Sequence, residues 1–287
     1  MPGVAIVSDT THYLPRDFVA TNGIHEVSLY VNWSDHQDRE ADMPDFDAFY
    51  ERLRSGRELP TTSQPSIGDF LTVYEPLLDA GQDILSIHIS GGISGTVEAA
   101  RQTAAQLDER GLTGRVRVMD SATGCGGLGL MILAAASAVR HGAGLEDAAR
   151  QAQEARDALA VWFCVDTLEY LQRGGRVGKA QAWVGGALKI KPILSIESEI
   201  LPVERVRTAG RAFERMVEYL QSRHDDGADA WVVQHIQARD QAERLVERGR
   251  EIFGTDPTFV TEVGPVIGGH VGPGLIGVGG IPSRFLA

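Results

Sequence analysis

The chain is short of cysteine, of aromatic residues and of basic charge. Its 287 residues contain two cysteines, Cys125 and Cys164, far apart and unpaired in pattern, which excludes a disulfide framework and offers no spacing for a structural zinc site. A reducing, cytoplasmic setting is the expectation. Aromatic residues make up 7% of the chain, and 39 acidic against 27 basic side chains leave a formal net charge of -12. So acidic a chain, with no long basic run, lacks the electrostatic means to take a nucleic-acid backbone or an anionic membrane surface as its main partner. No apolar run is long enough to span a bilayer, so stable membrane insertion is not expected. The start, Met1-Pro2-Gly3-Val4-Ala5-Ile6-Val7, passes at once into an apolar strand and lacks the charged segment of a signal peptide. There is no internal repeat, no low-complexity tract and no clear linker.

What is present is an alternation of short apolar runs with helical periodicities. Strands are expected at Val4 to Ser8, Ile24 to Val31, Ile84 to Ile89 and Val116 to Met119, with helices at Asp45 to Ser55, Ile67 to Leu78, Val97 to Leu107, Gly127 to Val139 and Leu145 to Ala158. That order predicts a parallel α/β sheet. From Ala160 the texture changes. Strands are expected at Val161 to Val165, Pro192 to Ile196, Ile200 to Val206, Trp231 to Ile236 and Thr258 to Val263, with helices at Lys179 to Leu188, Ala212 to Arg223 and Gln241 to Phe253. The expectation is an α/β chain of two domains, a parallel-sheet domain over 1–160 and a smaller α+β domain over 161–287, with a ligand between them.

Four places carry candidate chemistry. Thr61-Thr62-Ser63-Gln64-Pro65-Ser66 crowds four hydroxyls before a helix start, with Ser66 as N-cap; it is either a capped loop or a polar clasp. Ser90-Gly91-Gly92-Ile93-Ser94-Gly95-Thr96 joins a strand to a helix, as anion-binding loops do, with Ser94 as the expected N-cap, and reads equally as a capped helix after a glycine turn. His270 lies between Gly269 and Val271 in a glycine-rich loop, placed to hydrogen-bond an anionic head group or to serve structure alone. Arg173, Arg176, Lys179, Lys189 and Lys191 concentrate positive charge, as an electropositive rim or as a solvated face.

Sharper motifs fail. A nucleophile elbow needs Gly-x-Ser-x-Gly, and Gly92-Ile93-Ser94-Gly95 ends in Thr96. Gly272-Pro273-Gly274-Leu275-Ile276-Gly277 fits a dinucleotide fingerprint literally but leaves no room for the βαβ unit it must open, and Gly178-Lys179 is followed by Ala180 where a P-loop needs Ser or Thr.

Taken together, Val7-Ser8-Asp9-Thr10, Thr62-Ser63-Gln64-Pro65-Ser66, Ile93-Ser94-Gly95-Thr96, Asp120-Ser121, Gly174-Gly175-Arg176, Lys179-Ala180-Gln181-Ala182, Ile190-Lys191-Pro192 and Gly264-Pro265-Val266-Ile267 with His270 resemble the DegV family from end to end. The resemblance implies a fatty-acid-binding subunit of bacterial fatty acid kinase, with no cofactor and no metal. It implies that a long-chain fatty acid is buried between the domains, its carboxylate held by Thr62 and Ser94, with Ser63, Gly95 and His270 close by. A separate ATP-dependent kinase subunit would phosphorylate that carboxylate to an acyl phosphate, and Arg173 matches a position implicated in the partner step. The chain departs from the family pattern at Gly91, Gly92, Gly269, Val271 and Cys125. Two other classes stand beside this reading: a stand-alone enzyme on a small anionic substrate using Ser94 and His270, and a regulatory module without lipid.

Overall fold

The computed structural model describes residues 3–56, 58–184 and 190–287. The chain runs β1 (Val4–Asp9), α1 (Arg16–Thr21), β2 (Ile24–Val27), β3 (Tyr30–Asn32), β4 (Gln37–Arg39), α2 (Asp47–Arg54), β5 (Thr61–Ser63), α3 (Ile67–Asp79), β6 (Asp83–His88), α4 (Thr96–Leu107), β7 (Val116–Asp120), α5 (Cys125–Arg140) and α6 (Leu145–Ala158). It continues through β8 (Ala160–Cys164), α7 (Glu169–Arg173), β9 (Lys191–Glu197), β10 (Glu199–Val206), α8 (Ala209–Asp225), β11 (Ala230–His235), α9 (Arg239–Phe253), β12 (Phe259–Glu262), α10 (Pro265–Val271) and β13 (Ile276–Ile281).

β1 is buried along its whole length, its apolar run Val4 to Val7 followed by the buried polar Ser8 and Asp9 at the strand's C-terminal end. It pairs with β2 and β6, β6 pairs with β7, and every pairing is parallel, in the order β2-β1-β6-β7. Strand ends therefore align, and the loops after β1 and β6 open at one edge, where ligands gather in such sheets. The second sheet is mixed, in the order β10-β9-β8-β13-β11-β12, with only β11 and β12 parallel. Between the two lies α5. Its residues are buried continuously from Gly126 to Ala138, because a helix apolar on every side needs a neighbour on every side. It touches β1 and β6 of the first sheet and β11 and β13 of the second. One core cluster accordingly joins Ile6, Leu85 and Ile87 to Val232, Phe259 and Ile281. Leu128, Leu130 and Ile132 lie at its centre, each contributing about 2 kcal/mol by burial. No helix among the described residues is long and apolar enough to cross a membrane.

The expected α/β class holds, and five local readings change. The single strand expected over Ile24 to Val31 is two strands in two sheets. At the break, Leu29 N–H reaches the Thr10 hydroxyl and Ser28 Oγ bonds the Leu29 carbonyl, so side chains take the place of ladder partners. The first half of the clasp, Thr61–Ser63, is a strand, β5, in a small antiparallel sheet of order β4-β3-β5. His270 is not in a loop but in the last turn of α10. β13, unanticipated, sits between β8 and β11 despite three glycines. A Cβ at Gly279 or Gly280 would come within 2.9 Å of a neighbouring carbonyl oxygen, so small residues here permit close pairing. The helix expected over Lys179 to Leu188 begins as a 3-10 turn at Gly178–Trp183, and the remainder lies outside the described residues, as does Lys189 of the basic run.

Candidate functional site

Each part of the site is held by a local device. β5 pairs with β3 so that Thr62 stands opposite Val31. Beyond it, Ser66 caps α3: its Oγ accepts from Asp69 N–H at 3.1 Å, the Asp69 carboxylate accepts from Ser66 N–H at 2.8 Å, and the same carboxylate accepts from Tyr30 Oη on β3. The chain is thus pinned on both sides of Thr62-Ser63-Gln64.

The loop after β6 is pinned by its neighbours. Ser90 Oγ donates to the Ser198 carbonyl in the β9–β10 turn at 2.5 Å, and Gly91 N–H donates to Asp120 at 3.1 Å. A Cβ at Gly92 would fall 2.2 Å from the Ser198 carbonyl oxygen, which explains glycine at this departure from the family pattern. Ser94 is not the N-cap of α4; Gly95 is. Ser94 Oγ sits one residue earlier, 2.8 Å from Thr96 Oγ1, and accepts weakly from Thr96 N–H.

α10 carries His270. Pro265 stands at its first position, and Glu40 anchors its first turn by accepting from Val266 N–H at 2.8 Å. The Glu40 carboxyl also accepts from Thr10 Oγ1 and Tyr13 Oη. Burial raises it to about 7, against the opposing pull of those three donors. Gly268 lets the helix settle on Tyr50, since a Cβ there would lie 2.2 Å from the phenol oxygen. Gly268→Ala is therefore expected to cost about 2 kcal/mol by overpacking, read from a denaturant melt against wild type.

These devices bring Thr62 and His270, 208 positions apart, to 2.7 Å between Oγ1 and Nε2. Burial, helped by the nearby Arg176 guanidinium, lowers the His270 imidazole to about 4, so the ring is neutral at physiological pH. Its buried Nδ1 has no hydrogen-bond partner among the described residues. The tautomer that leaves no N–H unpaired is the one protonated at Nε2, donating to Thr62 Oγ1 and freeing the Thr62 proton for a ligand.

Thr62, Ser63, Ser94, Gly95 and His270 all line one cavity of about 400 Å³. Its remaining wall is mainly apolar, with Ile89, Ile93, Val161, Phe163, Val266 and Leu275. An apolar chamber with a few convergent polar groups is built for an amphipathic small molecule. Two lining residues, Arg176 and Gln234, were not assigned to the head-group site from the sequence. Arg176 was visible in the basic run, and it is this arginine, not Arg173, that reaches the polar end. Arg173 pairs with Glu169 on the surface of α7, outside the cavity lining. Gln234 had one signal, an amide within the otherwise apolar start of β11. Cys125 also lines the chamber, but burial, with the Glu40 and Asp9 charges nearby, pushes its thiol well above the usual range and keeps it protonated.

A second constellation has the outline of a catalytic triad. His88 lies with Nε2 2.6 Å from Ser86 Oγ and Nδ1 3.0 Å from Asp9 Oδ2. All three are sealed at 0% exposure, and none lines the cavity. Burial alone would raise the Asp9 carboxyl, but His88, Thr11 and the Ile89 N–H outweigh it and hold it below the usual range. The group is a core hydrogen-bond network that fixes the start of the Ser94 loop through Ile89.

Comparison with known proteins agrees with this architecture. The family model described as "Uncharacterised protein, DegV family" matches residues 3–283. A DegV domain-containing protein of Streptomyces coelicolor is 38% identical over 278 residues, covering 96% of this chain and 97% of that protein. Among solved structures, a DegV family protein from Thermus thermophilus, described by its fatty acid binding, is 32% identical with a TM-score of 0.87, covering 98% of this chain and 99% of that one. DegV from Bacillus subtilis, described as a fatty acid binding protein, is 32% identical with a TM-score of 0.86, covering 98% and 100%. By sequence along nearly its whole length and by its mixed α/β fold, this chain belongs to the DegV family.

Proposed function

We propose that the protein buries one long-chain fatty acid in this cavity, with the carboxylate at the Thr62 end, and presents it to a separate ATP-dependent fatty acid kinase subunit for acyl-phosphate formation. The observation that carries the reading is the joining of one apolar chamber to a pole of hydroxyls beside a neutral histidine. The fatty acid binding described for two relatives at 32% identity supports it. In this scheme Thr62 and Ser94 donate to the carboxylate. Ser63, the Gly95 backbone at the start of α4 and His270 complete the pole, and Arg176 offsets the ligand charge from the rim. Hydroxyl donors hold an anion without the desolvation penalty of a fully buried cation. Affinity comes from the chain, at about 0.8 kcal/mol per buried methylene, which over a long acyl tail exceeds the cost of ordering it.

Organic extraction with native mass spectrometry tests this directly. One bound acyl chain per protein is expected; a protein that carries none, and takes up none on titration, overturns the proposal. Arg173 faces outward and belongs, in this scheme, to the kinase encounter, which requires ATP and hence a cytoplasmic setting. Arg173→Ala should retain the fatty acid at wild-type stoichiometry and lower acyl-phosphate formation by at least tenfold in the presence of the kinase; loss of the bound lipid instead would contradict the role. A stand-alone enzyme using Ser94 and His270 fits less well. Among the described residues Ser94 Oγ pairs with Thr96 while His270 Nε2 pairs with Thr62, so no base stands beside the Ser94 hydroxyl, and His270 Nδ1 meets no orienting carboxylate. A regulatory module without lipid would leave a chamber of this size and polarity unused.

A further inference from the structure

We infer that the cavity has a second polar pole, the Gln234 carboxamide, and that it selects an acyl chain bearing a hydrogen-bond-accepting oxygen along its length, a keto or hydroxy fatty acid. The inference rests on the fatty-acid reading and names the ligand class within it.

Gln234 is 4% exposed and lies in β11 between Val233 and His235, on the second sheet rather than on the elements that carry Thr62, Ser94 and His270. Its side chain lines the cavity. Oε1 accepts from Gly126 N–H, in the first turn of α5, at 2.8 Å. A backbone N–H can only donate, so this contact decides which end of the amide is oxygen and leaves Nε2, with its two N–H bonds, as the other end. No described residue accepts from Nε2. The carboxamide occupies room that two glycines leave for it: a Cβ at Gly277 would lie 2.8 Å from Nε2, and one at Gly126 would lie 3.1 Å from Oε1. The side chain is thus seated at one end and unmet at the other.

A buried amide donor without an acceptor is costly, and a plain hydrocarbon chain leaves Nε2 in that state or traps a water against it. A ligand oxygen at the matching carbon removes the cost. Sites built to pair a polar group discriminate strongly against the analogue that lacks it, far more than apolar walls discriminate by size.

The experiment compares the affinity of the delipidated protein for an unsubstituted long-chain fatty acid and for a series of keto derivatives with the oxygen moved carbon by carbon. Wild type should show one position bound about tenfold more tightly than its neighbours. In Gln234→Met, which keeps the length and loses the donor, that maximum should vanish while the unsubstituted acid binds at least as tightly as to wild type. The same maximum in Gln234→Met overturns the inference, as does a wild-type series in which every keto acid binds more weakly than the parent. If removal of the Gly126 contact unfolds the variant, as a thermal melt would reveal, the wild-type positional series decides alone. Binding of the parent acid without a positional maximum sinks only this inference, whereas failure of every acyl ligand to bind wild type sinks the fatty-acid reading with it.

Discussion

Replacing Thr62 by valine should weaken long-chain fatty acid binding by about tenfold to a hundredfold, the loss expected for one hydrogen bond to a charged group. Valine preserves shape and β-branching in β5, so the strand and its pairing with β3 should survive. Two things are lost together. In the proposed complex the carboxylate loses a hydroxyl donor, and His270 Nε2–H loses the oxygen 2.7 Å away that accepts it. Because the imidazole falls to about 4, His270 carries no compensating charge at neutral pH. Ser94→Ala should act in the same direction, and the double variant should fall short of the sum, since in the proposed complex both hydroxyls serve one anion. Calorimetric titration of delipidated protein, with a melt to certify the fold, provides the measurement. Wild-type affinity in the double variant would remove both residues from the head-group site.

Glu40→Gln should abolish a component of pH-dependent stability worth about 3 kcal/mol. The Glu40 carboxyl is raised by burial to about 7 in the folded protein, against an ordinary 4.5 when unfolded. Between those two values the folded state holds a proton that the unfolded state has released. Stability from this group is therefore complete below pH 4.5, falls as pH rises, and is spent above 7. Glutamine does not titrate, and its carbonyl can still accept from Val266 N–H. Denaturant melts of both proteins from pH 4.5 to 8 should show the variant gaining relative to wild type across this window and running parallel above it. Parallel curves throughout would mean that Glu40 is ionised in the folded state. The consequence reaches the site, because Glu40 anchors the first turn of the helix that ends in His270.

The elements that were legible in advance share a physical reason. β1 and β6 carry short apolar runs, β7 alternates apolar with charged residues, the Ser66 cap is a four-residue signal, and α8 and α9 are amphipathic with apolar residues at helical spacing. In each case the determinant lies within a few residues of the element it forms. β13 and α10 were missed because Ile276–Ile281 and Pro265–Val271 are rich in glycine, whose local preference argues against both strand and helix. Their glycines instead answer to distant groups: Gly268 to Tyr50, Gly277 to Gln234 and Gly279 to Ala160.

The site divides in the same way. Local pattern alone was enough for the parallel α/β character of the first sheet, the capped start of α3 and the hydroxyl-rich composition at Thr62, Ser63 and Ser94. It took the folded chain to bring Thr62 to His270, to place His270 at the end of a helix, and to put Arg176 and Gln234, but not Arg173, in the lining of the same chamber. Periodicity and caps are short-range, so a sequence displays them. A cavity is defined by surfaces from β5, α10, β8 and β11 at once, and its polarity depends on which side chains the packing of α5 between two sheets leaves facing inward.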